Sequence, residues 1–230
     1  MIVSMKKIKI ISKIINKINN LIKLYFFRDR KEIAYKKWQK ESGEDEYLRF
    51  EYQLNQDSIV FDIGGYKGDF TNEIIKRYNC NVYVFEPIKE LYDIIYDRFS
   101  GNSKVHVLNF GLSDVTEESE IRLADNSSSL FLKKGILEKI KLVSISQFIK
   151  ERNIDNIDLM KINIEGGEYK VIPELINKNL IKRIINLQIQ FHDFINNADE
   201  KRIKIIDNLR MSHQRTYCFY MIWENWKLID

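Results

Sequence analysis

Apolar residues recur along this chain in two different rhythms. Near the N-terminus Ile8, Ile11, Ile15, Ile18, Ile22 and Tyr25 step by three and four, with Ile14 and Leu21 beside them. That spacing predicts an amphipathic helix whose other face is filled by lysines and asparagines. The stripe is short for a free coiled coil. Three destinations are open for it: the chain's own domain or a second copy, an anionic membrane surface, or no fixed structure. A second helical stretch, Glu32 to Leu54, is mixed in charge and reads as a cover for the domain after it.

From Ser58 the rhythm becomes short apolar runs separated by helix-length segments. Ile59–Ile63, Val82–Glu86, Val105–Phe110, Leu159–Ile164, Ile184–Phe191 and Thr216–Trp223 read as strands, and Trp226–Ile229 as a last short one. Thr71–Tyr78, Lys89–Phe99, Ser146–Arg152, Tyr169–Asn177 and Asp199–Arg210 read as helices. Strands that are apolar on both faces and alternate with helices predict an α/β fold, a parallel sheet covered on both sides. Ser113–Val143 breaks the alternation. It holds strand-like pieces, Glu120–Leu123 and Ile140–Val143, around the polar stretch Asp125–Ser129, and reads as an insertion over the sheet's edge. The division is an arm and cover over residues 1–54 and an α/β domain over 55–230.

Charge adds one distinction. The chain carries +4 overall. The first 31 residues hold nine basic residues and one acid, so the remainder is net negative. The basic balance therefore belongs to the arm and is no sign of nucleic-acid binding. Cys80 and Cys218 match no metal or redox spacing and read as reduced thiols. Lys13, Asn16, Lys17, Asn19 and Asn20 interrupt any signal-peptide core, and no apolar run is long enough to span a bilayer. The expected location is cytoplasmic, at the inner membrane surface if the arm binds lipid.

Candidate chemistry gathers at the predicted strand ends. Val60-Phe61-Asp62-Ile63-Gly64-Gly65-Tyr66-Lys67-Gly68 runs from a buried strand into a glycine-rich turn and then a helix. Such a turn lets a ligand approach the backbone closely at the carboxyl end of the first strand. One strand on, Val84-Phe85-Glu86-Pro87 places an acid where a ribose would present its hydroxyls, with Pro87 as a wall for a base. The glycine spacing departs from G-x-G-x-x-G, because Tyr66 stands at the second glycine. Asp62 and Glu86 suit a cationic sulfonium better than a pyrophosphate.

On these blocks the chain resembles FkbM-type S-adenosylmethionine-dependent methyltransferases. Further matching blocks are Asn109-Phe110-Gly111-Leu112-Ser113-Asp114, Ser127-Ser128-Ser129-Leu130, Val143-Ser144-Ile145 and Asp158–Glu168. The resemblance implies a Rossmann-like class I methyltransferase sheet of seven strands, mostly parallel with the last antiparallel. It implies O-methylation with S-adenosyl-L-methionine, often of sugars or polyketide-like products. It places Asp62, Gly64, Gly65, Gly68, Glu86, Pro87 and Ser113 at the cofactor.

Lys161, Asn163 and Glu165 alternate along one predicted strand end and so share a face toward the acceptor. The family usually has Asp where this chain has Asn163. An amide cannot act as a base, which leaves Glu165 as one candidate and lowers the case for a metal. The other reading of Glu165 is a cap on the following helix. His192, at the tip of Gln188-Ile189-Gln190-Phe191-His192, is the second candidate base, with Gln190 as a substrate contact; a structural His is the alternative. Trp223 and Glu224, in Trp223-Glu224-Asn225-Trp226, suit stacking on a sugar ring, or a hairpin that packs its own tryptophans.

The expected activity is methyl transfer to a hydroxyl of a sugar in a surface glycan or its precursor, without nucleic acid. Two other classes stay open: a nicotinamide-dependent oxidoreductase on a similar sheet, and a non-catalytic, membrane-docked binding module in which the arm is the functional part.

Overall fold

The structure is a computed structural model that describes residues 30–42, 46–124, 127–129 and 136–229. The amphipathic stretch of residues 8–25 lies outside them. Helix α1 covers residues 30–42. The first half of the sheet is built from β1 (Ile59–Ile63), α2 (Asp69–Tyr78), β2 (Asn81–Phe85), α3 (Lys89–Phe99) and β3 (Val105–Leu108). Four strands come next: β4 (Gly111–Ser113), β5 (Glu117–Ala124), β6 (Ser127–Ser129) and β7 (Ile136–Ser144). The second half holds α4 (Ile145–Glu151), β8 (Ile157–Ile162), α5 (Glu168–Asn177), β9 (Ile184–Ile189), α6 (Ala198–Leu209), β10 (His213–Phe219) and β11 (Trp223–Leu228).

The main sheet has seven strands in the order β10-β11-β9-β8-β1-β2-β3. Strand β11 runs antiparallel to both β9 and β10, and the other pairings are parallel. The chain winds outward from β1 to β3 and then returns to the other side of β1 with β8. Ligands bind in such sheets at this reversal, outside the carboxyl ends of the strands.

Strand periodicity divides the core. Phe61, Ile63, Phe85, Met160, Ile162, Leu187 and Ile189 face Phe148, Ile149, Val171, Leu175 and Leu209 of the helices α4, α5 and α6. Val60, Val82, Val84 and Leu159 face Phe70 and Ile74 of α2 and Ile95 and Phe99 of α3. Buried on both faces, these strands read as apolar runs in the sequence.

The insertion is a sheet of its own, in the order β4-β7-β5-β6. Ile121, Ile140 and Leu142 pack on Ile88 and Leu91 at the start of α3. It therefore roofs the carboxyl end of the main sheet.

Two expected elements are corrected. The helix expected over Glu32–Leu54 is shorter: α1 is described to residue 42, and residues 46–54 hold no α-helix. Ala34, Trp38 and Ser42 are buried at four-residue steps, with the Trp38 ring 5.1 Å from that of Phe219. After a short 3-10 turn at Tyr47–Arg49, Phe50, Tyr52 and Leu54 pack beside α2 at two-residue steps. That is an extended rhythm, and it ends the helix. The strand expected over Thr216–Trp223 is broken by a turn in which Met221 has φ 56°, so β10 and β11 form a hairpin. Among the described residues no helix is long and apolar enough to cross a membrane.

Candidate active site

A cleft of about 490 Å³, including its open mouth, lies at the carboxyl edge of β1, β2 and β8. Ile63, Gly64, Ile164, Gly167 and Lys170 line one end, and Phe85, Pro87, Gly111, Leu112 and Ser113 the other. Ile121, Ile140 and Leu142 of the small sheet close over it. Of the residues expected at the cofactor, Gly64, Pro87 and Ser113 line this cleft. Asp62, Gly65, Gly68 and Glu86 are not part of this lining among the described residues.

Those four shape the cleft from behind. Asp62 is fully buried. Its Oδ1 accepts from Lys161 Nζ at 2.8 Å and its Oδ2 from the Thr71 hydroxyl at 2.7 Å. Lys161 also donates to the Gly64 carbonyl at 2.7 Å. Lys161, expected at the substrate, therefore ties β8 to the turn after β1. Gly64 is required there: at φ +86°, an added Cβ would stand 2.1 Å from the Asn163 carbonyl oxygen. Gly68 begins α2 at φ +80° against the Phe99 ring, and Gly65 packs against Val84 and Ile95.

Glu86 accepts from the Tyr66 N–H at 2.9 Å and the Ile88 N–H at 3.0 Å. It holds the glycine-rich turn to the loop before α3. Burial pushes its carboxyl up to about 7, against the pull of those two amides.

A second constellation sits beyond the ends of β8 and β9. β8 ends at Ile162, so the expected alternation of Lys161, Asn163 and Glu165 does not reach Glu165. Glu165 instead occupies a left-handed turn, φ 50°, a conformation uncommon outside glycine. Its Oε2 lies 3.5 Å from His192 Nε2. On the other side of the ring, His192 Nδ1 is 3.1 Å from Glu168 Oε1. The His192 N–H also donates to that oxygen at 2.8 Å, and the Gly166 N–H donates to Glu168 Oε2 at 2.9 Å. Burial would lower the imidazole, but Glu165 and Glu168 outweigh it and raise His192 to about 9. That shift favours the doubly protonated ring at neutral pH, a form that donates protons and does not accept them.

A family model described as the Methyltransferase FkbM domain matches residues 62–217. The chain belongs to the FkbM methyltransferase domain family. Over 142 residues the FkbM chain is 25% identical to the hexuronic acid methyltransferase AglP of Haloferax volcanii, covering 59% of this chain and 57% of that protein. It thus spans little more than half the length of that curated relative. Its fold resembles a Clostridium thermocellum structure provisionally described as an rRNA methylase, with TM-score 0.51, 11% identity, and 81% and 93% of the two chains covered. An rRNA methylase from Streptococcus thermophilus gives TM-score 0.47, 12% identity, and 77% and 90% coverage. At 11% identity the Clostridium likeness is one of fold.

Other expected acceptor residues of the FkbM domain are placed differently. Trp223 is buried, with the Arg49 guanidinium 4.2 Å from its ring centroid. Its face is thus covered by a cation from the segment after α1. Glu224 is buried in an ion pair with Arg202 on α6 at 2.8 Å. Both are corrected to internal packing: the hairpin tucks its own polar ends inward. Gln190 is half-buried and its N–H continues the ladder to the Ile162 carbonyl. Asn163 is half-buried, and its Oδ1 is a buried oxygen with no hydrogen-bond partner among the described residues.

Sequence reasoning missed the roof residues Ile121, Ile140 and Leu142, which no local motif marks. It also gave no role to Glu168, although the block Glu165-Gly166-Gly167-Glu168 was in view. Glu168, the first-turn acid of α5, accepts from the Gly166 amide of that turn.

Proposed function

We propose that this FkbM domain transfers a methyl group from S-adenosyl-L-methionine to a hydroxyl of a sugar acceptor, in a glycan or its precursor. The observation that carries the reading is a carboxylate, Glu165, held against a charged His192 beside the Ile164–Gly167 end of the cleft.

The cleft's residues fit the cofactor. Pro87, Leu112, Ile121, Ile140 and Leu142 offer apolar walls for an adenine, and Gly111 leaves its side open. Asn163 Oδ1 still needs a donor, which a bound ligand would supply. When bound, the cofactor supplies an electrophilic methyl group on a sulfonium.

The chain's own residues do the rest. Gly64 and Ile164 border the reacting end. Glu165 accepts the proton of the acceptor hydroxyl as that oxygen takes the methyl. Imidazolium His192 orients Glu165. Positioning nucleophile and methyl in line is the larger contribution. The sugar acceptor is supported by the name of the Haloferax relative.

The test is incubation with isotope-labelled S-adenosylmethionine and a panel of sugar and uronic-acid glycosides, read by mass spectrometry. Label in a sugar is expected, and Glu165→Gln should lower turnover at least about a hundredfold with cofactor affinity retained. Stabilisation by NAD, and none by S-adenosylhomocysteine, in a thermal-shift assay would overturn the reading.

A further inference from the structure

Glu168 is a fully enclosed carboxylate beside the site. It is fully buried, it lies in the first turn of α5, and both its oxygens are engaged. Oε1 takes two donors from His192, the backbone N–H at 2.8 Å and the ring at 3.1 Å. Oε2 takes the N–H of Gly166, in the turn that carries Glu165. One side chain therefore joins two segments that no strand pairing connects, the turn after β8 and the loop after β9.

We propose that Glu168 is a positioning residue: it holds the His192 ring so that Nε2 points at Glu165, and it holds the Glu165 turn in register with that ring. The inference rests on the reading of Glu165 as the proton acceptor, but its geometry stands without an acceptor molecule.

The chemistry is set by which ring nitrogen is fixed. A carboxylate at Nδ1 makes that nitrogen a donor and leaves Nε2 as the outward group. With Nε2 protonated, His192 donates to Glu165 and fixes one of its oxygens. The acceptor hydroxyl's proton then goes to a Glu165 oxygen as the new O–CH₃ bond forms and the S–CH₃ bond breaks, and the sulfur keeps the electron pair. Glu165 sits on a turn at φ 50°, with its Oε2 3.5 Å from His192 Nε2. Without Glu168 both the ring and the turn lose their common anchor.

The other groups around His192 leave this assignment intact. From α5, the Tyr169 hydroxyl donates to the His192 carbonyl at 2.9 Å, and burial raises that phenol so that it stays neutral. From the loop after β9, Phe194 places its ring centroid 5.5 Å from the imidazole. Asp193 in the same loop is paired with Lys31 of α1 at 3.0 Å. Glu165 and Glu168 are the charges that act on the ring.

The chain has three histidines, so the test is nitrogen-resolved NMR of the histidine rings, with His192→Gln used to identify the His192 signals. In the intact protein both ring nitrogens of His192 should be protonated at neutral pH. In Glu168→Gln the titration midpoint of His192 should fall by at least about one unit, a tenfold weaker hold on the proton. The alkaline limb of turnover should move down with it, while cofactor affinity stays unchanged. A residue that merely supports the fold would lower the melting temperature and leave the midpoint where it was. A neutral His192 in the intact protein at neutral pH overturns the proposal, a measurement that needs no variant. An unshifted midpoint in a folded Glu168→Gln protein does the same. Should the midpoint shift while no sugar accepts a methyl, the acceptor reading fails and the positioning role stands.

Discussion

Replacing Lys161 by Met removes a charge from the inside of the sheet at nearly constant volume. The Lys161 side chain is 5% exposed and its Asp62 partner 0%. Burial already pushes the Lys161 ammonium down, and Asp62 opposes that push. In the variant, Asp62 keeps the Thr71 hydroxyl at Oδ2 but loses its partner at Oδ1, and the Gly64 carbonyl loses its donor. Stranding one member of a buried ion pair costs about 3–5 kcal/mol. At roughly 2–4 °C per kcal/mol for a chain of this size, the melting temperature should fall by about 6–20 °C. Urea unfolding followed by tryptophan fluorescence measures it, since Trp38, Trp223 and Trp226 are all buried. Asp62→Asn in the same background should recover part of the loss, because the cost lies in the uncompensated charge. A loss below about 1 kcal/mol, or a double variant that is merely the sum of the singles, would refute the assignment of this pair as the tie between β1 and β8.

Two further outcomes are expected. Glu86 titrates near 7 when folded against an ordinary 4.5, so between those values the folded state holds the extra proton and stability falls as pH rises. The loss should be roughly 3 kcal/mol over that window, and Glu86→Gln should flatten it in urea titrations; an equally steep dependence in the variant would count against the buried carboxyl. Gly111→Val puts a side chain into the cleft, its Cβ 2.9 Å from a Leu142 methyl and 3.5 Å from Pro87. Calorimetric titration with S-adenosylhomocysteine should show binding at least about tenfold weaker, with unfolding changed by about 1–3 kcal/mol at most; unchanged affinity would place the cofactor elsewhere.

Much of this molecule was legible in one dimension. Runs such as Val60–Ile63 and Val82–Phe85 are mostly apolar, Asp62 being the charged exception, because their sheet is buried on both faces, and helix α3 was legible to its end residues. The glycine-rich turn after β1 and the acid after β2 could be placed at the carboxyl edge, since each motif sits beside its own strand. Local patterning also set the limits. The helix expected through Leu54 ignored the change of step at Phe50, Tyr52 and Leu54. The hairpin turn at Met221 has no glycine or proline to mark it.

The roles of the charged residues were decided by the tertiary structure. Asp62 and Lys161 are 99 positions apart, and Glu168 and His192 are 24 apart. A carboxylate's task depends on which donors reach it, and pairing across strands sets that. So Asp62 and Lys161, each read from sequence as facing a ligand, satisfy one another. His192, a candidate base or a structural histidine from sequence, lies between two carboxylates from a neighbouring turn and helix. Trp223 and Glu224, read as a sugar platform, are covered by Arg49 and Arg202. By itself the sequence determined the elements, the family and the edge at which the chemistry sits, because those depend on local periodicity and motif. Only the packed structure decided which polar groups at that edge remain for a ligand, because a buried charge is assigned by its nearest partner in space.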